Sequence, residues 1–337
     1  MCRTGEGCTD RVDINCQRKG VDSKVTLVLV LRDTTPSAIY ELGNARQLRI
    51  FVTLVSAGHD LRYWLDTLRS VSGKSDFRWR QIQAYYRTLY AAWGPQHWWP
   101  GRTQFEVIVG TYLTQNTSWK NVEQALRRLR SHASLNLKAL NNISSRELET
   151  LIQPSGYFRQ KAARLKLFVD FVGRRYGGSL TRMFAQPTGK LREELLSLNG
   201  IGPETADSIL LYAGQHPVFV VDAYARRIID RHGILPAESP YDEIRELFES
   251  ALADRARLGP RKRTKSKNHE DNLFVPNTSH APSPMSRASR TPVAQVLNDA
   301  HALIVAVGKL YCFKSNPDCE QCPLRRFLPN PRSRSVA

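Results

Sequence analysis

The carboxylate of Asp222 is the first candidate for chemistry because of its neighbours in the sequence. An apolar run, PVFVV, precedes it, and a helix-like segment, AYARRIIDRHG, follows it. Asp is a favoured N-cap residue, worth about 1 kcal/mol to a helix. The same placement suits catalysis, since backbone N–H donors keep a carboxylate ionised, and an ionised carboxylate can stabilise an oxocarbenium-like transition state. The spacing alone leaves a helix cap and a catalytic group equally open.

A Gly-x-Gly turn lies shortly before this carboxylate. The segment LLSLNGIGPETADSILL carries Gly200 and Gly202 on either side of Ile201. Pro203 suits the first position of a helix and Glu204 suits its positive N-terminus, so the segment predicts helix, hairpin, helix. Backbone N–H groups in such a hairpin can hold a phosphate without reading base sequence. The alternative is an ordinary turn between two helices.

The cysteines form two groups. Three lie in a polar N-terminal segment (Cys2, Cys8, Cys16), and Cys312, Cys319 and Cys322 have the spacing C-x6-C-x2-C. We expect no disulfide framework, because no secretory signal is recognised and a cytoplasmic protein is the default. The C-terminal spacing indicates a metal or cluster loop, with a three-ligand zinc site or a loop of free thiols as alternatives.

Helical periodicity predicts most of the elements that position these groups. One helix is expected to end at Gly94-Pro95, and one or two more are separated near Thr117-Ser118. The expected helical segments are Trp79–Trp93, Phe105–Leu129, Ser145–Ile152, Arg159–Tyr176, Leu191–Leu198 and Val293–Leu310. Strand signals are confined to Lys24–Arg32 and Pro217–Val221, so the predicted class is mainly α.

Charge and composition indicate the kind of partner. The chain has 337 residues and a formal net charge of +18, which favours nucleic acid or an anionic membrane. No uninterrupted apolar stretch approaches the length of a membrane span, and we expect no membrane partner. Residues 258–292 are first basic and then rich in Ser, Pro and Asn, so we expect a disordered insert. It either adds phosphate attraction or is a tolerated surface insertion.

Several motifs occur together in one order. The combination LNGIGPETAD…VFVVDAY resembles the helix-hairpin-helix/Gly-Pro-Asp superfamily of DNA glycosylases, in the endonuclease III branch. FEVIVGTYLTQNTSWKNV resembles the first core helix of that family with the DNA-facing turn after it, and QPSGYFRQKA resembles its second DNA-facing loop. The resemblance covers roughly residues 79–328 without the insert. It implies excision of a damaged base, flipped out of double-stranded DNA, with Asp222 as the catalytic carboxylate.

Two departures from the family pattern refine this expectation. Bifunctional members carry a lysine nucleophile where this chain has Glu204, and a carboxylate cannot form the Schiff base that strand cleavage requires. We therefore expect a monofunctional enzyme, as in the 3-methyladenine DNA glycosylases of this branch, which GIGPETAD resembles most. The cluster loop of the family has a fourth cysteine where Leu328 stands here, so a [4Fe–4S] cluster would lack one usual ligand.

The resemblance also suggests a base pocket and DNA contacts. Trp98, Trp99 and Pro100 resemble the pocket wall of the 3-methyladenine enzymes, and a cationic alkylated purine would gain about 1–2 kcal/mol on an indole face. Core packing is the alternative for these aromatics. The expected DNA-binding residues are Gln115, Asn116, Tyr157, Phe158, Lys161, Gly200, Ile201, Gly202, Glu204 and Thr205. Gln115 would fill the space left by the flipped base, and Tyr157 or Phe158 would wedge into the opposite strand.

The predicted architecture has two helical domains with the site in the cleft between them. A six-helix barrel with the hairpin spans 105–215, and a second domain with the cysteine loop joins 76–104 to 216–257 and 293–328. Residues 1–75 form an extension of unknown role, and 329–337 form a tail. A monomer is expected. The rival functions are an endonuclease III-like glycosylase/lyase acting on oxidised pyrimidines, with a displaced lysine, and a non-catalytic DNA-binding protein.

Overall fold

The structure is a computed structural model. It describes residues 61–133, 135–257 and 281–329 and four N-terminal strands, with side chains from residue 77 to 253, apart from 134, and from 281 to 329. The chain divides into two compact units, Met1–Gly73 and Lys74–Ala337.

The N-terminal unit contains a four-stranded sheet. Its strands are β1 (Ile14–Asn15), β2 (Val25–Leu29), β3 (Ile39–Ala45) and β4 (Leu48–Thr53), in the order β1-β2-β4-β3. The pair β2–β4 is parallel, and the other two pairs are antiparallel. Strand β2 lies within the segment for which a strand was predicted, Lys24–Arg32.

The rest of the described chain is helical, so the predicted mainly α class is confirmed. The helices are α1 (Leu61–Trp93), α2 (Gln104–Leu113), α3 (Trp119–Ser131), α4 (Leu137–Asn142), α5 (Ser145–Ile152), α6 (Phe158–Tyr176), α7 (Leu180–Phe184), α8 (Thr188–Leu196), α9 (Pro203–Ser208), α10 (Ala223–Arg231), α11 (Tyr241–Arg257) and α12 (Pro292–Leu310). A π-helical turn, Ile209–Ala213, continues α9, and short 3-10 turns span Gln153–Ser155 and Arg325–Phe327.

Local signals explain where several helices begin and end. The side chain of Thr103 accepts a hydrogen bond from the Glu106 backbone and caps α2. Helix α6 ends at Gly177, whose φ of 59° is a left-handed conformation that glycine adopts without strain. The predicted break near Thr117-Ser118 separates α2 from α3.

The strand predicted at Pro217–Val221 is wrong. This segment pairs with no described strand, because side chains of α11 accept its backbone hydrogens. The Phe219 N–H donates to Glu249 Oε1 at 2.9 Å, and the Val221 N–H donates to the Tyr241 hydroxyl at 3.2 Å. The Phe219 ring also stacks on the ring of Phe248 in α11, with the two ring centres 4.0 Å apart. Helix α11 therefore fixes the run that leads to Asp222.

The predicted disordered insert extends too far towards the C-terminus. Residues 258–280 lie outside the described residues, but the chain from 281 onwards is packed. Met285 is buried and its backbone N–H donates to the Gly101 carbonyl at 3.1 Å. The Ser283 hydroxyl accepts from the Gly101 N–H and donates to the Trp99 carbonyl. This short segment holds the residues just before α2.

Helix α12 is largely buried in the core. By length and composition it could cross a membrane, but 72% of its apolar window is buried inside the protein. Its neighbours include α10 and α11, the helices that follow Asp222 along the chain. Its burial is that of a core helix of a globular unit.

Candidate active site

Asp222 occupies the N-cap position of α10, as the sequence predicts. One carboxylate oxygen, Oδ1, accepts a hydrogen bond from the Ala225 backbone N–H at 2.8 Å. The other, Oδ2, lies 3.6 Å from Nε2 of His301 on α12, and the side chain remains 14% exposed. The helix cap therefore uses one oxygen, the second oxygen faces His301, and the carboxylate as a whole keeps a small exposure to solvent.

The hairpin before it has the predicted form. Gly200 has a φ of 83°, a left-handed conformation that favours glycine, and a Cβ there would also displace the flexible side chain of Arg164. Gly202 is the N-cap of α9, Pro203 is its first residue and Glu204 lies in its first turn. The Ile201 and Thr205 side chains are buried, so DNA would meet their backbone.

Glu204 and Asp222 are electrostatically coupled. The Glu204 side chain is exposed at the rim of the site. Surrounding protein atoms and the nearby Asp222 carboxylate raise the pKa of Glu204 to about 7, and Arg226 partly offsets this. A carboxyl that still holds a proton near neutral pH beside a second carboxyl is a pattern typical of acid–base sites.

Gln115 links the turn after α2 to the hairpin. Its amide nitrogen donates to the Gly200 carbonyl at 3.1 Å and to the Thr205 hydroxyl at 3.0 Å. Arg164 donates to its amide oxygen at 3.0 Å. Asn116 follows it, exposed and in a left-handed conformation. Gln115 must leave these partners to enter a duplex, so that role stays a prediction.

The second loop that is predicted to face DNA presents an aromatic side chain to solvent. Tyr157 is 66% exposed, with a φ of 47°, while Phe158 is partly buried and begins α6. An exposed aromatic held in a left-handed conformation at a loop tip is consistent with a wedge, and Tyr157 is the better placed of the two.

The predicted DNA contact by Lys161 is wrong. Lys161 is 1% exposed, and its ammonium donates to the carbonyls of Leu113 at 3.0 Å and Ser155 at 2.7 Å. Burial lowers its pKa to about 8. Lys161 instead ties the end of α2 to the loop before α6, and so it holds together two turns that are predicted to face DNA.

The tryptophans of the QHWWP segment have different environments. Trp99 is 5% exposed and packs on Gly110, which is core packing and not a pocket wall. Trp98 is partly exposed, and its ring lies 6.4 Å from that of Tyr212. Pro100 is also partly exposed. Of the two predicted pocket tryptophans, Trp98 is the one whose ring is partly exposed, although the Trp99 ring lies closer to that of Tyr212, at 5.3 Å.

Three functional candidates near Asp222 have no signal in the sequence: Tyr212, His301 and Lys309. The exposed Lys309 at the end of α12 places its ammonium 5.6 Å from the centre of the Trp98 ring. Tyr212 is buried, and its hydroxyl hydrogen-bonds Nδ1 of His301. All three lie on segments whose periodicity indicates only helix, so their proximity to Asp222 follows from tertiary packing.

The cysteine loop brings its three thiols to one small cavity without completing a ligand set. Cys312, Cys319 and Cys322 line this cavity together with His232 and Leu328. Burial raises the pKa of the Cys322 thiol to about 11. Among the described residues, no three His, Cys, Asp or Glu side chains are arranged to hold a metal ion. A four-thiolate cluster therefore does not fit the loop as the described residues form it.

Comparison with known proteins agrees with this geometry. The family description HhH-GPD superfamily base excision DNA repair protein matches residues 109–254. A protein of Methanocaldococcus jannaschii named as a DNA repair glycosylase is 37% identical over 253 residues, which cover 74% of this chain and 96% of the relative. Endonuclease III of Thermotoga maritima is 30% identical over 44% of this chain and 66% of its own length.

Solved structures share the fold. The 3-methyladenine DNA glycosylase of H. pylori, solved with bound 1,N6-ethenoadenine, superposes with a TM-score of 0.52 at 27% identity, over 69% of this chain and 97% of that one. A trapped endonuclease III–DNA intermediate superposes with a TM-score of 0.54 at 19% identity, over 77% of this chain and 99% of that one. With the hairpin and the capped aspartate, these findings show that the chain is a DNA glycosylase of the helix-hairpin-helix/Gly-Pro-Asp superfamily of base-excision repair proteins.

Proposed function

We propose that the protein hydrolyses the N-glycosidic bond of a damaged base in double-stranded DNA and stops at the abasic site. One observation carries this proposal: Asp222 stands accessible at a helix N-cap beside a hairpin that offers Glu204 and no lysine. A carboxylate can support base release by hydrolysis, but it cannot form the imine needed to cleave the strand.

Asp222 performs the central task in this proposal. Its carboxylate stabilises the positive charge that develops on the sugar as the bond to the base lengthens, and it orients the water that attacks C1′. The Ala225 N–H favours the ionised form by donating to it. Glu204, with its raised pKa, is protonated in part at neutral pH, so it can donate a proton to a departing base that is uncharged in the substrate; a cationic alkylated purine leaves as a neutral base without it.

The preferred substrate class is an alkylated purine. Trp98 presents an aromatic face close to Tyr212, and flipped bases stack on such faces. The ammonium group of Lys309 lies 5.6 Å from the centre of this ring, and a cationic purine would take its place there. The similarity to a 3-methyladenine DNA glycosylase solved with a modified adenine supports the same class.

The DNA backbone would be held by the hairpin and by the two turns beside it. Backbone donors at Gly200 and Gly202 would contact one phosphate, and Tyr157 would enter the opposite strand where the base has left the stack. We expect one protein molecule to act on each lesion.

A second candidate activity has a specific observation in its favour. Lys309 is an amine beside the site, and the neighbouring protein lowers its pKa while Asp222 raises it. A displaced lysine could form an imine at the sugar and give a glycosylase/lyase. This candidate is secondary to the hydrolytic one because the ammonium of Lys309 lies over the Trp98 ring and no contact joins it to the hairpin among the described residues.

A panel of lesion duplexes tests the proposal. The panel contains methylated and etheno purines, uracil and thymine mismatches, and oxidised pyrimidines, each assayed with and without hot alkali. We expect strand breaks from methylated purines only after alkali. Breaks without alkali, together with an adduct trapped by borohydride, would establish the lyase instead. Absence of excision from every duplex would support a non-catalytic DNA-binding protein.

A further inference from the structure

Two buried residues next to Asp222 form a chain of polar contacts. The chain leads to Oδ2, the carboxylate oxygen that the helix cap does not use. Tyr212 comes from the π-helical turn after α9, and His301 comes from the middle of α12. The Tyr212 hydroxyl hydrogen-bonds Nδ1 of His301, and Nε2 of His301 lies 3.6 Å from Oδ2 of Asp222. From their contacts we infer that His301 and Tyr212 are positioning residues, which hold the Asp222 carboxylate through the His301 imidazole. The inference rests on the proposed function of Asp222.

The protonation of His301 follows from its surroundings. The ring is buried, and burial lowers its pKa although Asp222 raises it, so the imidazole is neutral near pH 7 and carries one N–H. Burial keeps Tyr212 protonated by raising its pKa well above the usual range. If Tyr212 donates to Nδ1, the single N–H of His301 is on Nε2 and points to the carboxylate. The opposite tautomer would place a lone pair against a carboxylate.

Nε2 of His301 has no other hydrogen-bond acceptor among the described residues. Nε2 is a buried atom with no hydrogen-bond partner, and an unsatisfied buried donor is costly. Phe219 fixes the ring from the side, with the two ring centres 5.8 Å apart in an edge-on arrangement. A closing movement of a few tenths of an ångström when DNA binds would turn the 3.6 Å contact into a hydrogen bond, as catalytic contacts often tighten in the complex.

The other groups that face Asp222 do not replace this donor. The charged or titratable side chains around it come from α9, from the turn after it and from α12 (Glu204, Tyr212, His301, Lys309). Glu204 repels the carboxylate, and Lys309 acts on it from an exposed position. His301 is thus the buried group that can hold the second oxygen of Asp222, while the Ala225 N–H holds the first.

The test is the pH profile of single-turnover excision on the duplex that the wild type processes. His301→Leu removes the donor, Tyr212→Phe removes one oxygen and keeps the packing, and His301→Gln retains an amide donor. We expect His301→Leu to slow excision roughly 10- to 100-fold, because donors to charged groups contribute this much. We also expect its acid limb to move to higher pH, since losing a donor raises the pKa of a carboxylate. Tyr212→Phe should shift the same limb less, and His301→Gln should restore part of the rate.

The matched control is His216→Gln. His216 is also buried, and its Nδ1 hydrogen-bonds the Thr188 hydroxyl at 2.9 Å, but it makes no contact with Asp222. The acid limb of the pH profile of His216→Gln should lie at the same pH as that of the wild type. The inference would be overturned if His301→Leu slowed excision without moving the acid limb of the pH profile and if His301→Gln behaved in the same way. If the wild type excises no base, or excises as well with Asp222→Asn, the proposed function itself fails.

Discussion

The same two helices, α10 and α12, support both the Asp222 site and the cysteine loop. At the beginning of α10, Asp222 lies beside His301 of α12. At its end, Arg231 donates to Sγ of Cys312, which follows α12, at 2.9 Å. Nine residues of helix, about 13 Å, separate these contacts. One rigid pair of helices thus positions a polar group at each end.

The Asp222 site and the cysteine loop differ in whether the expected polar groups are all present. The carboxylate of Asp222 has a bonded backbone donor and a buried histidine facing its other oxygen. The cavity of the cysteine loop has three thiols and the apolar Leu328. The loop is nevertheless held by protein contacts, since Arg227 donates to the Cys312 carbonyl at 2.6 Å and Leu324 is fully buried. Protein contacts thus hold the cysteine loop in place, whereas the chemistry proposed for Asp222 depends on the groups that contact its carboxylate.

Removing the Asp222 carboxylate should have the largest effect, measured on the rate of excision. Asp222→Asn keeps a capping side chain but no negative charge, so we expect excision to slow by roughly 10²- to 10³-fold, as for other lost electrostatic groups. Single-turnover kinetics on the preferred lesion measure this, with binding to an abasic duplex as a separate readout. Asp230→Asn, on the exposed face of the same helix, is the control and should keep the wild-type rate. Equal rates for both variants would contradict the catalytic assignment.

Adding a fourth cysteine to the cysteine loop should have the next largest effect, measured on the iron content of the purified protein. Leu328→Cys adds a fourth thiol to the cavity that the three cysteines already line. We expect purified protein to gain iron, acid-labile sulfide and broad visible absorbance several-fold over the wild type, because four thiolates are the usual set for a [4Fe–4S] cluster. Leu328→Ser opens the cavity without adding a ligand and should gain none. A wild-type protein that already contains a full complement of iron would show that three cysteines suffice.

Restoring a nucleophile in the hairpin sharpens the difference between hydrolysis and strand cleavage. Glu204→Lys places an amine in the first turn of α9, near Asp222. We expect an adduct that borohydride traps on abasic DNA, which the wild type lacks, because an amine can form the imine that a carboxylate cannot. Glu193→Lys, exposed on α8, adds the same charge elsewhere and should trap none. A strong wild-type adduct lost in Lys309→Met would favour the displaced-lysine alternative.

The sequence predicts the elements better than the contacts between them. Ser145–Ile152 was predicted with the bounds that α5 has, because its cap and periodicity are local. The N-cap position of Asp222 follows from the local sequence for the same reason, whereas its catalytic role comes from the family resemblance. The contacts of His301 span 79 residues to Asp222 and 89 to Tyr212, and no local pattern encodes such a pairing. Lys161 shows the converse: a lysine beside a DNA-facing loop suggests a phosphate contact, and only the fold reveals that carbonyl groups surround it.

The smallest expected effect concerns the stability cost of placing two carboxyls together. The folded-state pKa of Glu204 is raised to about 7, above its usual value, so the folded protein holds this proton more tightly than the unfolded chain. Stability therefore falls as pH rises from about 4.5 to 7, and the penalty is complete above pH 7. Glu204→Gln mimics the protonated form, and we expect it to melt higher than the wild type at pH 8, on the order of 2 °C, because the exposed side chain is partly screened.

Thermal melts at pH 8 and pH 5 measure this difference between the wild type and Glu204→Gln. The gap should narrow at pH 5, because the wild-type carboxyl is then largely protonated and resembles the amide. Glu193→Gln removes an equally exposed carboxylate from α8 and should show no such pH-dependent gap. A wild type that melts at the same temperature as Glu204→Gln at pH 8 would mean that Glu204 and Asp222 coexist as anions without a stability cost.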